Sequence, residues 1–130
     1  NMNLIIIRED LYHIYAISEA LGKNELVCIH ADRFMQGNKT IACAFLGEMA
    51  NFPAGPFILA SRFNVPVSFV FAFKETRKHY HLYATKPHDG TANTKSEKMQ
   101  RLLQDFVIEM ETKTRQYPEQ WFNYYDFWKA

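Results

Sequence analysis

Residues 26–73 read LVCIHADRFMQGNKTIACAFLGEMANFPAGPFILASRFNVPVSFVFAF, and the fold turns on this stretch. It opens with a short apolar run, Leu26–His30, whose length and β-branched content suit a buried strand. A polar loop follows over Ala31–Thr40, then a second apolar run over Ile41–Gly47. Phe52-Pro53-Ala54-Gly55-Pro56 opens a helix, because proline in a first turn lacks only an N–H that has no partner there. Asn64 fits its C-cap, and the apolar PVSFVFAF beyond it reads as a central strand. Asp32, Arg33, Gly37 and Lys39 all fall in the one polar loop that follows a strand. In α/β proteins ligands bind outside the carboxyl ends of strands, which makes this loop the candidate binding site.

On the N-terminal side, Asn3–Arg8 is β-branched and strand-like. Leu11, Ile14, Tyr15, Ser18 and Leu21 recur at helical steps between about Asp10 and Leu21. Asp10 suits the cap of that helix and Gly22 its end. Strand, helix and strand within thirty residues predict a βαβ unit with a parallel pair. On the C-terminal side, KETRKHYH is turn-like and Tyr80–Thr85 alternates, so it pairs antiparallel with the preceding strand at a sheet edge. Pro87–Thr91 is a loop. Met99, Leu102, Leu103, Phe106, Val107 and Met110 stripe a long amphipathic helix over Thr94–Thr114, with Thr94 or Ser96 as cap. The expected fold is α/β, a partly parallel sheet with flanking helices, in a single domain over residues 1–130.

The final segment, Tyr117–Ala130, is rich in aromatics. Read as a helix, it places Tyr117, Trp121, Tyr124, Tyr125 and Trp128 on one face. Such a face usually docks on the domain core; the alternative is a membrane-interface belt, a zone that Trp and Tyr favour.

With 130 residues the chain can bury a real core, and its 48% apolar content excludes disorder. A net charge of +1 gives no global pull toward nucleic acid, and basic residues do not gather with aromatics, so no nucleic-acid partner is expected. No apolar run reaches the ~20 residues needed to span a bilayer, and no signal peptide is visible. The segment therefore reads as soluble or peripheral to a membrane. Cys28 and Cys43 sit in apolar runs, the setting of buried free thiols, and no zinc spacing is present.

Five histidines are candidates for chemistry. His79 and His81 point to one face of a strand but lack a third ligand in register, so a solvated edge is expected there and no metal. His30, at a strand end, reads as a hydrogen-bonded, non-catalytic side chain. Lys74, Arg77 and Lys78 form a basic turn suited to anionic headgroups, although a lone cluster of this kind is usually just solvated.

Three segments together resemble the lysophospholipid acyltransferase superfamily, and most closely the late acyltransferases of lipid A biosynthesis. The first, LVCIHADRFMQGNKTIACAFLGEMANFPAG, is similar to that family's strand, acid-containing loop and "FFG" strand. The second, AGPFILASRFNVPVSFVFAF, is similar to its glycine-initiated helix and following apolar strand. The third, YPEQWFNYYDFW, resembles its C-terminal P-E-Q-x-x-W close. The order and separations also match, over residues 26–73 and 117–128.

The resemblance implies a glycerolipid acyltransferase-like fold and transfer of a fatty acyl group from a thioester donor, acyl carrier protein or coenzyme A, to a lipid hydroxyl. It implies no bound cofactor, and peripheral placement at the cytoplasmic face of the bacterial inner membrane. It also gives Asp32 and Arg33 the role of contacting a phosphorylated acceptor. Physically, arginine offers phosphate a bidentate fork, Lys39 adds a point charge, and Gly37 lets the loop fold over. The plainer alternative is an Asp32–Arg33 pair that only anchors the loop.

The family signature is a histidine followed five positions later by a carboxylate, which orients the imidazole as general base. Here the residues five places after His13, His30, His79, His81 and His88 are Ser18, Met35, Ala84, Lys86 and Asn93. No catalytic residue is therefore assigned. The chain reads as the C-terminal portion of such an enzyme, inactive alone and expected to homodimerise through an open sheet edge or the aromatic tail. A second reading is a non-catalytic α/β module that binds an anionic ligand or a protein partner through the same loop.

Overall fold

The computed structural model describes residues 2–7, 12–35, 37–89, 91–124 and 126–128. The chain divides into two compact units, Asn1–His30 and Ala31–Ala130. Asp10, Leu11, Gly90 and Tyr125, which the sequence reading uses, lie outside the described residues.

The first unit contains one helix, α1 (Tyr12–Gly22). It ends as expected at Gly22, but Asn24 supplies the left-handed residue, with φ 58°. The Glu25 N–H returns to the Ala20 carbonyl at 3.0 Å and the Asn24 N–H to that of Leu21 at 3.0 Å, which closes the last turn. The predicted parallel pair is absent. Residues 2–7 and 25–30 form no strand, and Leu26 stands 97% exposed. β-branched composition becomes a strand only where a neighbouring strand takes the backbone bonds, and neither run has one among the described residues. Cys28 is exposed rather than buried for the same reason.

The second unit holds two antiparallel hairpins, two helices and the aromatic tail. The first hairpin joins β1 (Thr40–Phe45) to β2 (Glu48–Pro53). Its two-residue turn, Leu46-Gly47, has φ 53° and 93°, the pair of positive values that a type I′ turn demands. The sequence reading carried one run through this turn and took Phe52-Pro53 as a helix lead-in, so β2 is a correction. The reason is chemical: leucine is a poor residue for positive φ, and this turn lacks the usual Asn-Gly signal.

Helix α2 (Gly55–Phe63) begins with Pro56 in its first turn and ends on Asn64, at φ 54°, as the sequence predicted. The Asn64 side-chain oxygen accepts from Lys98 Nζ at 2.8 Å. Lys98 is only 6% exposed, and it places its charge at the negative C-terminal end of α2.

The second hairpin pairs β3 (Val70–Lys74) with β4 (Tyr80–Ala84). Its antiparallel pairing was predicted; the central position of β3 was not realised, since each sheet has two strands. Helix α3 (Lys95–Gln116) carries Leu102, Leu103, Phe106, Val107 and Met110 into the core, as the stripe implied. The Thr94 hydroxyl accepts the Glu97 N–H at 3.2 Å, and the Glu97 carboxylate accepts the Asn93 N–H at 3.1 Å. This near-reciprocal cap fixes the start of the helix.

The tail after α3 is not the predicted amphipathic helix. It forms one 3₁₀ turn, Pro118–Gln120, and then runs on irregularly. Its aromatics still reach the core. Phe127 is buried, and Trp121 and Trp128 pack against the same cluster, while Tyr124 is exposed. Phe45 is the hub: its ring meets Phe52, Trp121, Phe127 and Trp128 with centroids 5.4–6.2 Å apart.

Candidate functional site

The polar loop, residues 31–39, enters β1 and is held at both ends. Ala31 packs against the core cluster. At the other end the Lys39 carbonyl accepts the Ala54 N–H at 2.9 Å, which ties the loop to the residue preceding α2. Between them the Asn38 N–H meets the Met35 carbonyl at 3.0 Å, and Gly37 has φ 88°. A side chain at that φ is strained, so the glycine is a backbone requirement of this turn.

Arg33 links the loop to the tail. Its Nη2 donates to the Phe122 carbonyl at 3.4 Å, and its Nε lies 3.5 Å from the Asp32 carboxylate. The Arg33 side chain is nevertheless 61% exposed. Of the four residues singled out, the structure brings Asp32 and Arg33 together. Gly37 shapes the turn, and the exposed Lys39 makes no side-chain ion pair among the described residues. The Asp32–Arg33 pair thus anchors the loop to the tail through Phe122 while the Arg33 side chain stays exposed.

The Leu46-Gly47 turn is secured from α3. The Leu46 N–H donates to Glu111 Oε2 at 2.9 Å, while Arg115 Nε and Nη2 donate to Glu111 Oε1 at 3.0 and 2.7 Å. The Leu46 amide first, and Arg115 beside it, hold the Glu111 carboxyl below its ordinary value. On β1, burial pushes the Cys43 thiol up, opposed by a backbone bond from Ala44. That is the behaviour of an inert, half-buried thiol.

One His–carboxylate pair escaped the sequence reading, which tested only a five-residue spacing. His88 Nδ1 lies 3.0 Å from Asp105 Oδ2, seventeen residues on and across to α3. The ring lies against Phe69, with centroids 4.7 Å apart. His88 also exchanges two backbone bonds with Val67, at 2.9 and 2.8 Å. It borders a shallow cleft of about 410 Å³ with Tyr83, Lys86, Glu109 and Lys113. These contacts pin the loop before α3 to the helix. His81 pairs instead with Glu75 at 3.1 Å, and His79 with the Thr76 hydroxyl at 3.0 Å, both exposed. The solvated edge expected there is what the structure has. Among the described residues no group of three potential ligands converges on a metal position.

The loop, the type I′ turn, the glycine-initiated helix and the P-E-Q turn all stand in one unit. The family model for bacterial lipid A biosynthesis acyltransferases matches residues 4–130. The chain belongs to that family. No curated protein matches it. Within this acyltransferase-family chain, the Arg33 bond to Phe122 joins the first and third segments of the resemblance, which lie 89 residues apart. Among the described residues no helix is long and apolar enough to cross a membrane.

Proposed function

We propose that this chain serves the transfer of a fatty acyl group from a thioester donor to the hydroxyl of a lipid acceptor, and that its loop 31–39 receives an anionic group of the acceptor. Arg33 carries the reading. Asp32 and the Phe122 carbonyl hold the guanidinium through Nε and Nη2, on a side chain that is 61% exposed. A planar fork fixed in this way matches two oxygens of a phosphate, and Lys39 adds charge from the same loop.

Acyl transfer also needs a base to take the acceptor proton as the hydroxyl attacks the thioester carbonyl. None of the five histidines has a carboxylate at the family spacing. The His88–Asp105 pair pins the loop before α3 and lies outside loop 31–39, so the part proposed for this chain is acceptor binding, with the base at the family spacing supplied from elsewhere. The family likeness implies a peripheral station at the cytoplasmic face of the inner membrane.

The test titrates glucosamine 1-phosphate into the chain, followed by amide shifts of residues 31–39, with glucosamine as control. Arg33→Ala should weaken binding by roughly 1.5–3 kcal/mol, the range for hydrogen bonds to charged groups. Arg33→Lys should fall between, having charge without the fork. Equal binding by wild type and Arg33→Ala, or equal response to the uncharged sugar, would sink the reading.

A further inference from the structure

The outer face of the second hairpin grades from apolar to basic along its length. Side chains alternate between the two faces of a strand, and the register sets three pairs outward: Val70 beside Ala84, Ala72 beside Leu82, and Lys74 beside Tyr80. All six residues are exposed, Val70 at 64% and Leu82 at 70%. The residues between them face the other way, where Phe71 stacks on Phe106 and Phe73 on Tyr117. Beyond the Lys74–Tyr80 pair, the connection adds Arg77 and Lys78.

Nothing among the described residues uses these three cations. The side chains of Lys74, Arg77 and Lys78 make no hydrogen bond or ion pair there. Glu75, the carboxylate of the connection, is taken by His81 at 3.1 Å. The connection is held in shape, because the Thr76 hydroxyl accepts the Lys78 and His79 N–H groups at 3.3 and 3.2 Å. A basic turn that alone would be a solvated cluster thus stands at one end of a bare apolar face. On the first hairpin the outward pairs are Ala42 with Asn51 and Ala44 with Met49, and the Leu46-Gly47 turn carries no cation.

We propose that this face rests on the surface of a lipid bilayer rich in anionic headgroups. Val70, Ala72, Leu82 and Ala84 meet the acyl boundary, and Lys74, Arg77 and Lys78 meet lipid phosphates. Charge complementarity selects an anionic occupant, and size selects a bilayer over a protein. Two strands of five residues make a strip about 10 Å by 17 Å, so roughly 200 Å². A stable protein interface takes about 800 Å² from each partner. A bilayer sets no such minimum, since apolar contact and headgroup attraction add, the latter by about fivefold per cation near an anionic surface. Tyr80, between the apolar and basic ends, is of the type that favours the headgroup zone. The proposal does not depend on the acceptor reading of loop 31–39, none of whose residues it uses.

The experiment is co-sedimentation of the chain with vesicles of phosphatidylcholine carrying about one third phosphatidylglycerol, and with phosphatidylcholine alone. Wild type should partition at least about tenfold more strongly to the anionic vesicles, and high salt should reduce that preference. Arg77→Ala combined with Lys78→Ala should weaken partition at least about tenfold, and so should Leu82→Glu. All these positions are exposed, and circular dichroism checks each fold. Lys95→Glu changes the net charge as much as the double alanine variant does, at an exposed site about 30 Å along α3 from the Tyr117 end. It should move partition less than about twofold. Overturning results are a wild type that leaves the anionic vesicles unbound or binds neutral ones equally, a Leu82→Glu variant that binds like wild type, or a Lys95→Glu loss as large as that of the basic turn. Self-association without lipid that Leu82→Glu abolishes, in a chain that ignores vesicles, would overturn it in favour of a second copy.

Discussion

The two hairpins are alike in size and pairing, both lean on α3, and each leaves one face exposed, but the first buries its inner face far more deeply. Phe45, Ala50 and Phe52 of the first hairpin have no exposed surface. The tail wraps it, with the Phe127 carbonyl on Asn51 and the Trp128 indole N–H donating to the Phe45 carbonyl at 3.3 Å. The second hairpin covers one face only. Phe71 stacks on Phe106 of α3, Phe73 on Tyr117, and Lys113 sits over the Tyr83 ring. Its other face, with Val70, Leu82 and Tyr80, is bare. Residues near the end of the chain thus decide which of two similar hairpins becomes core. Much of the unusual aromatic content is spent on that enclosure.

The sharpest way to break the comparison is one truncation in each hairpin. Phe45→Ala removes the ring around which four others are arranged and should destabilise the second unit by about 3–5 kcal/mol. Leu82→Ala, on the bare face, should stay within about 0.5 kcal/mol. Urea unfolding of both variants, at concentrations low enough to exclude association, measures the difference. Similar losses at the two sites would mean that the second hairpin is enclosed after all.

A smaller effect separates the turns. Gly47 has φ 93°, and an added Cβ would meet no atom within 4 Å. Gly47→Ala is therefore expected to lose about 1–2 kcal/mol through backbone strain alone, without a clash. The connection of the second hairpin contains no glycine and no positive φ. An alanine scan of residues 75–78 should accordingly change melting less than Gly47→Ala does. The reverse order would contradict this account of the first turn.

What could be read from the sequence follows the range of the interactions. Helices α1, α2 and α3, the Asn64 cap and the β3–β4 pairing rest on local patterns, and they were legible. So was the loop carrying Asp32 and Arg33, since a polar break between apolar runs is a local signal. The strand at Glu48–Pro53 was hidden because the I′ turn uses Leu46, whose strained backbone is held by Glu111, 65 residues away. The Arg33–Phe122 and His88–Asp105 contacts were hidden likewise, their partners lying 89 and 17 residues distant. The parallel pair failed in the opposite direction. Asn3–Arg8 and Leu26–His30 have strand composition, but composition does not supply the neighbouring strand that a ladder needs.

The smallest predicted effect concerns acid. Among the described residues Glu111 is the carboxylate that accepts the backbone N–H of a hairpin turn, and its folded value is depressed by that bond and by Arg115. A depressed carboxyl binds fewer protons folded than unfolded. Its contribution is therefore complete above the ordinary glutamate range and is lost as pH falls through the lower, folded value. Wild type should lose stability over that acid window by more than Glu111→Gln, whose amide does not titrate, while the variant should be the weaker of the two near neutrality. The Leu46 amide proton should move over the same window in wild type and stay still in the variant. In the second hairpin any β4 amide shift over that window should be the same in wild type and Glu111→Gln, because Glu111 contacts only the first turn and β4 has its own carboxylate in Glu75, paired with His81. A β4 shift that the Glu111→Gln change removes would show that α3 transmits the titration, and the contrast between the two hairpins would then be one of degree.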